Sequence, residues 1–265
     1  MKRIGTCILC AAALILASCS RTTPTANLVA RWTPSTNAMV VPALTQTPTG
    51  GVSVVSTPNG SAWSFDGKCA AILVADAPVL HFGAGQNFSV LARIQPQANN
   101  NSFGVSSIVE KRQVSGIAAA LGFSLHLEYG FLACQLAPTP PTRWTFSDFT
   151  SPKRFKAAWQ RRKSPGPVYR FISSAPLLTY GKTHLVALTV DRRSTTGGKL
   201  FVDGAVVTTF DPTKIPGNLS NTQPLIIGNH PDSSLQCGFK GLIQQVCLYK
   251  RALSPDEMAR AGRPE

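Results

Sequence analysis

From about residue 61 onward, short apolar runs alternate with clusters of Gly, Pro, Asn and Asp, the texture of strands and turns rather than of helices. In Phe88–Ile94, Phe88, Val90 and Ala92 alternate with Ser89, Leu91 and Arg93, which predicts a strand with two distinct faces. Apolar runs at Ala70–Val74, Phe123–Leu127, Phe131–Leu136, His184–Val190, Leu200–Val202, Ala205–Phe210, Leu225–Ile227 and Leu242–Tyr249 predict further strands. Tyr129-Gly130 and Asp203-Gly204 read as hairpin turns; Asp-Gly is the stronger signal because it accepts the positive φ of a type I′ turn. Ser254-Pro255-Asp256-Glu257 predicts a short terminal helix to about Ala261, with Pro in its first turn and acids near its positive end. About ten strands without a long helical period predict an all-β fold of two packed antiparallel sheets, or a barrel.

The first 50 residues follow a different pattern. Lys2 and Arg3 precede an apolar stretch, Ile8 to Ala17, of signal-peptide length and too short to cross a bilayer. Leu16-Ala17-Ser18-Cys19 resembles the bacterial lipobox, which implies cleavage before Cys19 and a diacylglycerol on its sulfur; an ordinary secretory signal is the alternative. Ser20 after the cysteine implies export to the outer membrane or cell surface, and acyl chains would hold the protein there without a spanning helix. The expected organisation is a signal peptide over 1–18, a Thr/Pro/Ser-rich tether over 19–50 whose later part docks on the domain, and one folded domain over 51–265. The 265 residues carry 26 Lys+Arg against 12 Asp+Glu, a net +14; loss of 1–18 removes two cations and no acid, leaving +12. With 43% hydrophobic and only 14% charged residues, the chain is neither a disordered polyelectrolyte nor a coiled coil.

Five segments, in order, resemble the laminin-G-like jelly roll of the concanavalin A-like lectin/glucanase superfamily. Ser64-Phe65-Asp66-Gly67 resembles its opening strand and Asn87–Pro96 (NFSVLARIQP) its second. Gly181–Asp191 (GKTHLVALTVD) resembles the central strand, with Thr183 where an aromatic usually stands, and Lys199–Gly204 (KLFVDG) the following hairpin. Phe239–Ser254 (FKGLIQQVCLYKRALS) resembles the closing strand. The match covers roughly residues 61–261 and implies a two-sheet antiparallel jelly-roll sandwich with a short C-terminal helix. These motifs are scaffold, and fold alone does not assign function.

The candidate chemistry is sparse. Glucanases of this superfamily set paired carboxylates two and four apart on one strand, and hydrolysis needs two acids within about 5–10 Å. No such string occurs: Glu110 and Glu128 read as solvated strand positions, and closing-strand positions that are usually acidic are Gln244 and Gln245. His81, His126, His184 and His230 are scattered, with His184 expected to pack and hydrogen-bond; no G-x-S-x-G or HExxH string occurs. The chain is therefore expected not to be an enzyme, a divergent glycoside hydrolase being the weakest alternative. The resemblance leaves a rim Ca2+ site open, with Asp76 and Asp232 as weak candidates better read as turn caps.

Lys153–Lys163 (KRFKAAWQRRK) has six cations in eleven residues and no acid, after the helix-start signal Ser151-Pro152. Lys153, Arg154, Lys156, Trp159, Arg161, Arg162 and Lys163 are the candidate anion- or glycan-binding residues. Phosphate loops and RNA-recognition signatures are absent, so no dedicated nucleic-acid binding is expected. Besides Cys19, the exported chain would hold Cys69, Cys134, Cys237 and Cys247, candidates for disulfides in an oxidising compartment. On one extended strand, Cys237 and Cys247 stand about 30 Å apart, too far to bridge. If two bridges form, Cys69 pairs with Cys237 or Cys247; four thiols are the alternative. The expected function is a non-catalytic binding module on a cell-envelope lipoprotein, recognising carbohydrate or another anionic envelope ligand. A structural or protein-docking lipoprotein is the alternative.

Overall fold

Alternating apolar positions bury one face of a strand against a second sheet, and that period-2 pattern dominates this chain. The computed structural model describes residues 24–34, 44, 46–99, 104–114, 120–138, 168–174, 178–232 and 236–263. In chain order the strands are β1 (Leu28–Trp32), β2 (Gln46–Thr49), β3 (Ser53–Thr57), β4 (Gly60–Asp66), β5 (Ala71–Val74), β6 (Phe88–Pro96), β7 (Val105–Val114) and β8 (Ala120–Glu128). They continue with β9 (Phe131–Ala137), β10 (Tyr169–Ile172), β11 (His184–Val190), β12 (Gly198–Val202), β13 (Ala205–Phe210), β14 (Leu225–Ile227) and β15 (Lys240–Tyr249), before helix α1 (Pro255–Ala261). Among the described residues they form two antiparallel sheets. One runs β13-β12-β11-β6-β15-β4-β3, with β1 also paired to β15; the other runs β10-β9-β8-β7-β14-β5-β2. This is the expected all-β sandwich.

The inner faces mesh into one core: Phe88, Val90, Ala92 and Ile94 of β6, Val186 and Leu188 of β11, Phe123, Leu125 and Leu127 of β8, and Leu132 and Leu136 of β9. Phe82 stacks on Phe88, ring centroids 4.6 Å apart, and both lie against Phe123. A smaller cluster lies on the outside of the first sheet, where Leu91, Phe201, Cys247 and Tyr249 are covered by Leu253, Met258 and Ala261. This explains Leu91, the apolar residue on the otherwise polar face of β6. Both predicted hairpin turns adopt paired positive φ, 50° and 82° at Tyr129-Gly130 and 50° and 86° at Asp203-Gly204.

Two expectations are corrected, and of the two cysteine alternatives the structure has the thiols. The stretch 19–50 contains β1 and β2; β1 pairs with β15 from Leu28↔Tyr249 to Trp32↔Val246, and Trp32 is fully buried. Low charge and Thr/Pro content made this stretch read as a tether, but backbone pairing to β15 recruits it. The four cysteines 69, 134, 237 and 247 form no disulfide. Cys134 points into the inter-sheet core while Cys247 lies under α1, on opposite sides of one sheet. Glu110 and Glu128 are not solvated but buried, at 0% and 3% exposure. The signal peptide, Cys19 and the basic residues Lys153, Arg154, Lys156, Trp159, Arg161, Arg162 and Lys163 lie outside the described residues.

Candidate functional site

At one end of the sandwich, loops of both sheets enclose a cleft of about 300 Å3. Tyr129 and Gly130 line it from the β8–β9 hairpin, Tyr180 from the turn before β11, Gln97 and Asn99 from the end of β6, and Lys240 from the start of β15. Tyr129 is 65% and Tyr180 49% exposed, so two aromatic faces stand in solvent beside amides and an ammonium. The wall is fixed from behind. Tyr129 N donates to Gly104 O (2.7 Å), and Gly104, at φ +64°, lies so close beneath the Tyr129 ring that a Cβ there would overlap it. Gly181 N donates to Pro96 O (2.8 Å) and Gln95 Nε2 to Gly181 O (2.6 Å), which holds the Tyr180 turn against β6. Asn99 Nδ2 donates to Gly238 O (2.8 Å). No acid is among the lining residues. Rigid aromatics with a few convergent polar groups form a binding surface; nothing here activates a nucleophile.

The sequence marks the Tyr129-Gly130 turn but not its use. A large aromatic at a hairpin tip has to be exposed, and that was the available signal. Tyr180 and Lys240 lie 51 and 111 residues further along, with no local pattern linking them to that turn.

The outer face of the second sheet holds both strand carboxylates in buried ion pairs. Glu110 accepts from Arg112 Nε (2.5 Å) and Ser107 Oγ (2.9 Å). Glu128 pairs with Arg170 of β10 and accepts from His126 Nε2 (2.9 Å), while Ser124 Oγ meets His126 Nδ1 at 3.0 Å. Burial, aided by Arg112 and Arg170, pushes the His126 pKa down to about 3, so the imidazole is neutral. Glu110 lies opposite Ser124, four residues from Glu128 along β8. Each is buried and held by an arginine, which leaves neither carboxylate open to a substrate. Gln244 and Gln245 are structural: Gln244 bridges Arg93 Nε (2.7 Å) and Thr57 Oγ1 (2.9 Å), and Gln245 bridges Arg31 (2.6 Å) and Ala261 O (2.8 Å). His184 packs and hydrogen-bonds as expected, meeting Asp203 Oδ2 at 2.7 Å.

The two calcium candidates are not brought together. Asp76 accepts from Lys111 Nζ (2.8 Å) and meets His81 Nε2 (2.9 Å); these bonds outweigh its partial burial and hold its carboxyl below the usual range. The Lys111 ammonium also donates to Asn221 O (2.8 Å) and to Gln223 O, so a side-chain cation already fills that oxygen cage. Asp232 N donates to His230 Nδ1 (3.0 Å) on a separate turn. Among the described residues no three His, Cys, Asp or Glu converge on a metal-sized point.

Comparison with known proteins places this geometry. The laminin G family model described as the concanavalin A-like lectin/glucanases superfamily matches residues 66–259. No curated protein matches. Among solved structures, the binding domain of Paraclostridial Mosquitocidal Protein 1 aligns with a TM-score of 0.61 at 17% identity, over 88% of this chain and 51% of that one. The binding domain of botulinum neurotoxin DC, solved in complex with rat synaptotagmin II, aligns at 0.59 with 11% identity, over 88% and 50%. The botulinum neurotoxin serotype D ligand binding domain, solved in complex with N-acetylneuraminic acid, aligns at 0.56 with 15% identity, over 89% and 51%. This chain thus spans about half the length of the solved domains it resembles, and at these identities the likeness concerns the fold.

Proposed function

The chain belongs to the concanavalin A-like lectin/glucanase superfamily, and on that premise we propose that it is a non-catalytic binding module whose end cleft recognises carbohydrate. The observation that carries this reading is the pair of exposed tyrosines, Tyr129 and Tyr180, converging with Gln97, Asn99 and Lys240 in one cleft without a carboxylate. Sugar rings present apolar C–H faces and hydroxyl edges. Aromatic faces receive the first, and amides and an ammonium the second. Lys240 favours a sugar bearing an anionic group, and the complex of a structural neighbour with N-acetylneuraminic acid supports that preference. The burial of Glu110 and Glu128, each held by an arginine, argues against glycosidase chemistry.

Protein docking is the second reading, supported by the neighbour solved with rat synaptotagmin II. A glycan array, probed with and without calcium, separates the two. Selective binding that Tyr129→Ala weakens about fivefold to tenfold, with unchanged thermal unfolding, is the expected result. Binding to no glycan in any condition overturns the carbohydrate reading and leaves a protein partner.

The module is carried, in this proposal, on a lipid attached to Cys19 at the outer membrane or cell surface, the reading supported by charge, apolar core and lipobox in that order. Cells expressing the chain should incorporate labelled palmitate into it, and Cys19→Ala should abolish the label. Equal label in both would remove the anchor. Lys153, Arg154, Lys156, Trp159, Arg161, Arg162 and Lys163 contribute an anion-attracting segment in the same proposal.

A further inference from the structure

Arg192 follows β11 and is 7% exposed. Its backbone is clamped: Arg192 N donates to Asn87 Oδ1 (2.8 Å), while Asn87 Nδ2 donates to Asp191 Oδ1 (2.9 Å). Its guanidinium is only half used. Nη1 donates to Ile215 O (2.8 Å) and Gly217 O (3.4 Å), whereas Nε and Nη2 are buried without a hydrogen-bond partner. No carboxylate among the described residues pairs with it. Asp191 is in an ion pair with Arg193, and Asp211 with Lys214. An uncompensated buried charge is strongly destabilising, and a buried donor left unmade adds a further cost.

Nε and Nη2 carry three N–H donors, and two of them, one on each nitrogen, lie along one edge of the guanidinium plane. That edge is the fork that meets two oxygens of a carboxylate or phosphate in parallel hydrogen bonds. A water molecule can accept one of these bonds but cannot neutralise the charge. We infer that Arg192 is the receptor of a second site, which takes an oxyanion group, carboxylate or phosphate, on its Nε–Nη2 edge. The site is separate from the tyrosine cleft. Tyr180 precedes β11 and Arg192 follows it, so the strand's seven residues set them roughly 23 Å apart at about 3.3 Å each. Ile215 and Gly217 hold the guanidinium by its other edge, which orients the fork before the anion arrives.

The Arg192 Nε–Hε resonance of the 15N-labelled protein reads this directly. It is assigned through bonds from the Arg192 backbone and followed during titration with sodium acetate or sodium phosphate, with sodium chloride at equal ionic strength as control. A saturable shift with at least one oxyanion, and none with chloride, is expected. The acetate and phosphate arms tell a carboxylate site from a phosphate site. Arg192→Lys keeps the charge and loses the fork, so the anion affinity should fall about tenfold or more, and the rise of the unfolding temperature with anion should vanish. A resonance that moves with none of the salts, or equally with chloride, overturns the site. So does persistent magnetisation transfer from water through the titration, which would show a water on the fork. If the lysine variant does not fold, the titration of the unaltered protein decides alone.

Discussion

His126 shows how a single residue changes character on folding. Its neighbours along β8 are Ser124 and Glu128, and the carboxylate next to an imidazole would ordinarily favour the charged ring. Burial overrides this, with smaller help from Arg112 and Arg170, the latter paired with Glu128 from 42 residues further along the chain. The ring's folded pKa lies below its unfolded value of 6.5, so the unfolded chain binds the extra proton. Stability from this group is complete above about pH 6.5 and declines as pH falls toward about 3, with a slope approaching 1.4 kcal/mol per pH unit. Urea unfolding between pH 7 and pH 4 checks this: His126→Gln should flatten the slope by that amount, and an unchanged slope would contradict it. Local sequence could not show this. The alternation of β8 was legible, but the arginine that pairs with Glu128 comes from β10, whose short run Tyr169–Ile172 carries no clear strand signal.

β15 shows the same dependence among elements. It pairs with β6 along one edge, while its other edge is shared end to end: β4 takes Lys240 to Ile243, and β1 takes Val246 to Tyr249. The closing strand itself was evident from its apolar pattern, and so was the helix after it. Ser254 Oγ accepts from Glu257 N (3.3 Å) and Glu257 Oε2 accepts from Ser254 N (3.0 Å), the reciprocal cap that the Ser-Pro-Asp-Glu string predicts. β1 escaped notice because its five residues, LVARW, lie in a Thr/Pro-rich stretch whose average composition masks them. A chain beginning at residue 51 therefore lacks the partner of Val246–Tyr249 and the fully buried Trp32. Such a chain should lose about 3 kcal/mol or more of stability. Denaturant unfolding beside the full chain measures this, and equal midpoints would show β1 to be dispensable.

At the scale of the molecule, charge and shape act together. Twenty-six basic residues against 12 acidic ones give a positive field, while several acids are already engaged: Asp76, Glu110, Glu128 and Glu257 each meet a cationic side chain. The Glu257 carboxyl is brought down to about 2, chiefly by Arg251. The surplus positive charge faces any ligand, so an anionic glycan should bind more weakly as screening shortens the reach of that field. Raising sodium chloride from about 50 to 500 mM should reduce the affinity severalfold. Affinity independent of salt would mean that neither Lys240 nor the basic segment contributes.

The amino-acid sequence by itself determined the all-β class, both hairpin turns and the terminal helix, because period-2 alternation, Tyr-Gly and Asp-Gly turns and a capped helix start are short-range effects. The family motifs are legible for the same reason: each is a contiguous strand or turn. Tertiary structure alone decided that Tyr129, Tyr180 and Lys240 share a cleft, that Glu110 and Glu128 are buried and each held by an arginine, and that Arg192 keeps a buried fork without a partner. Each of these depends on strand order and register between segments distant along the chain. A shift of one residue moves every side chain to the opposite face, and no local pattern encodes where two distant faces will meet.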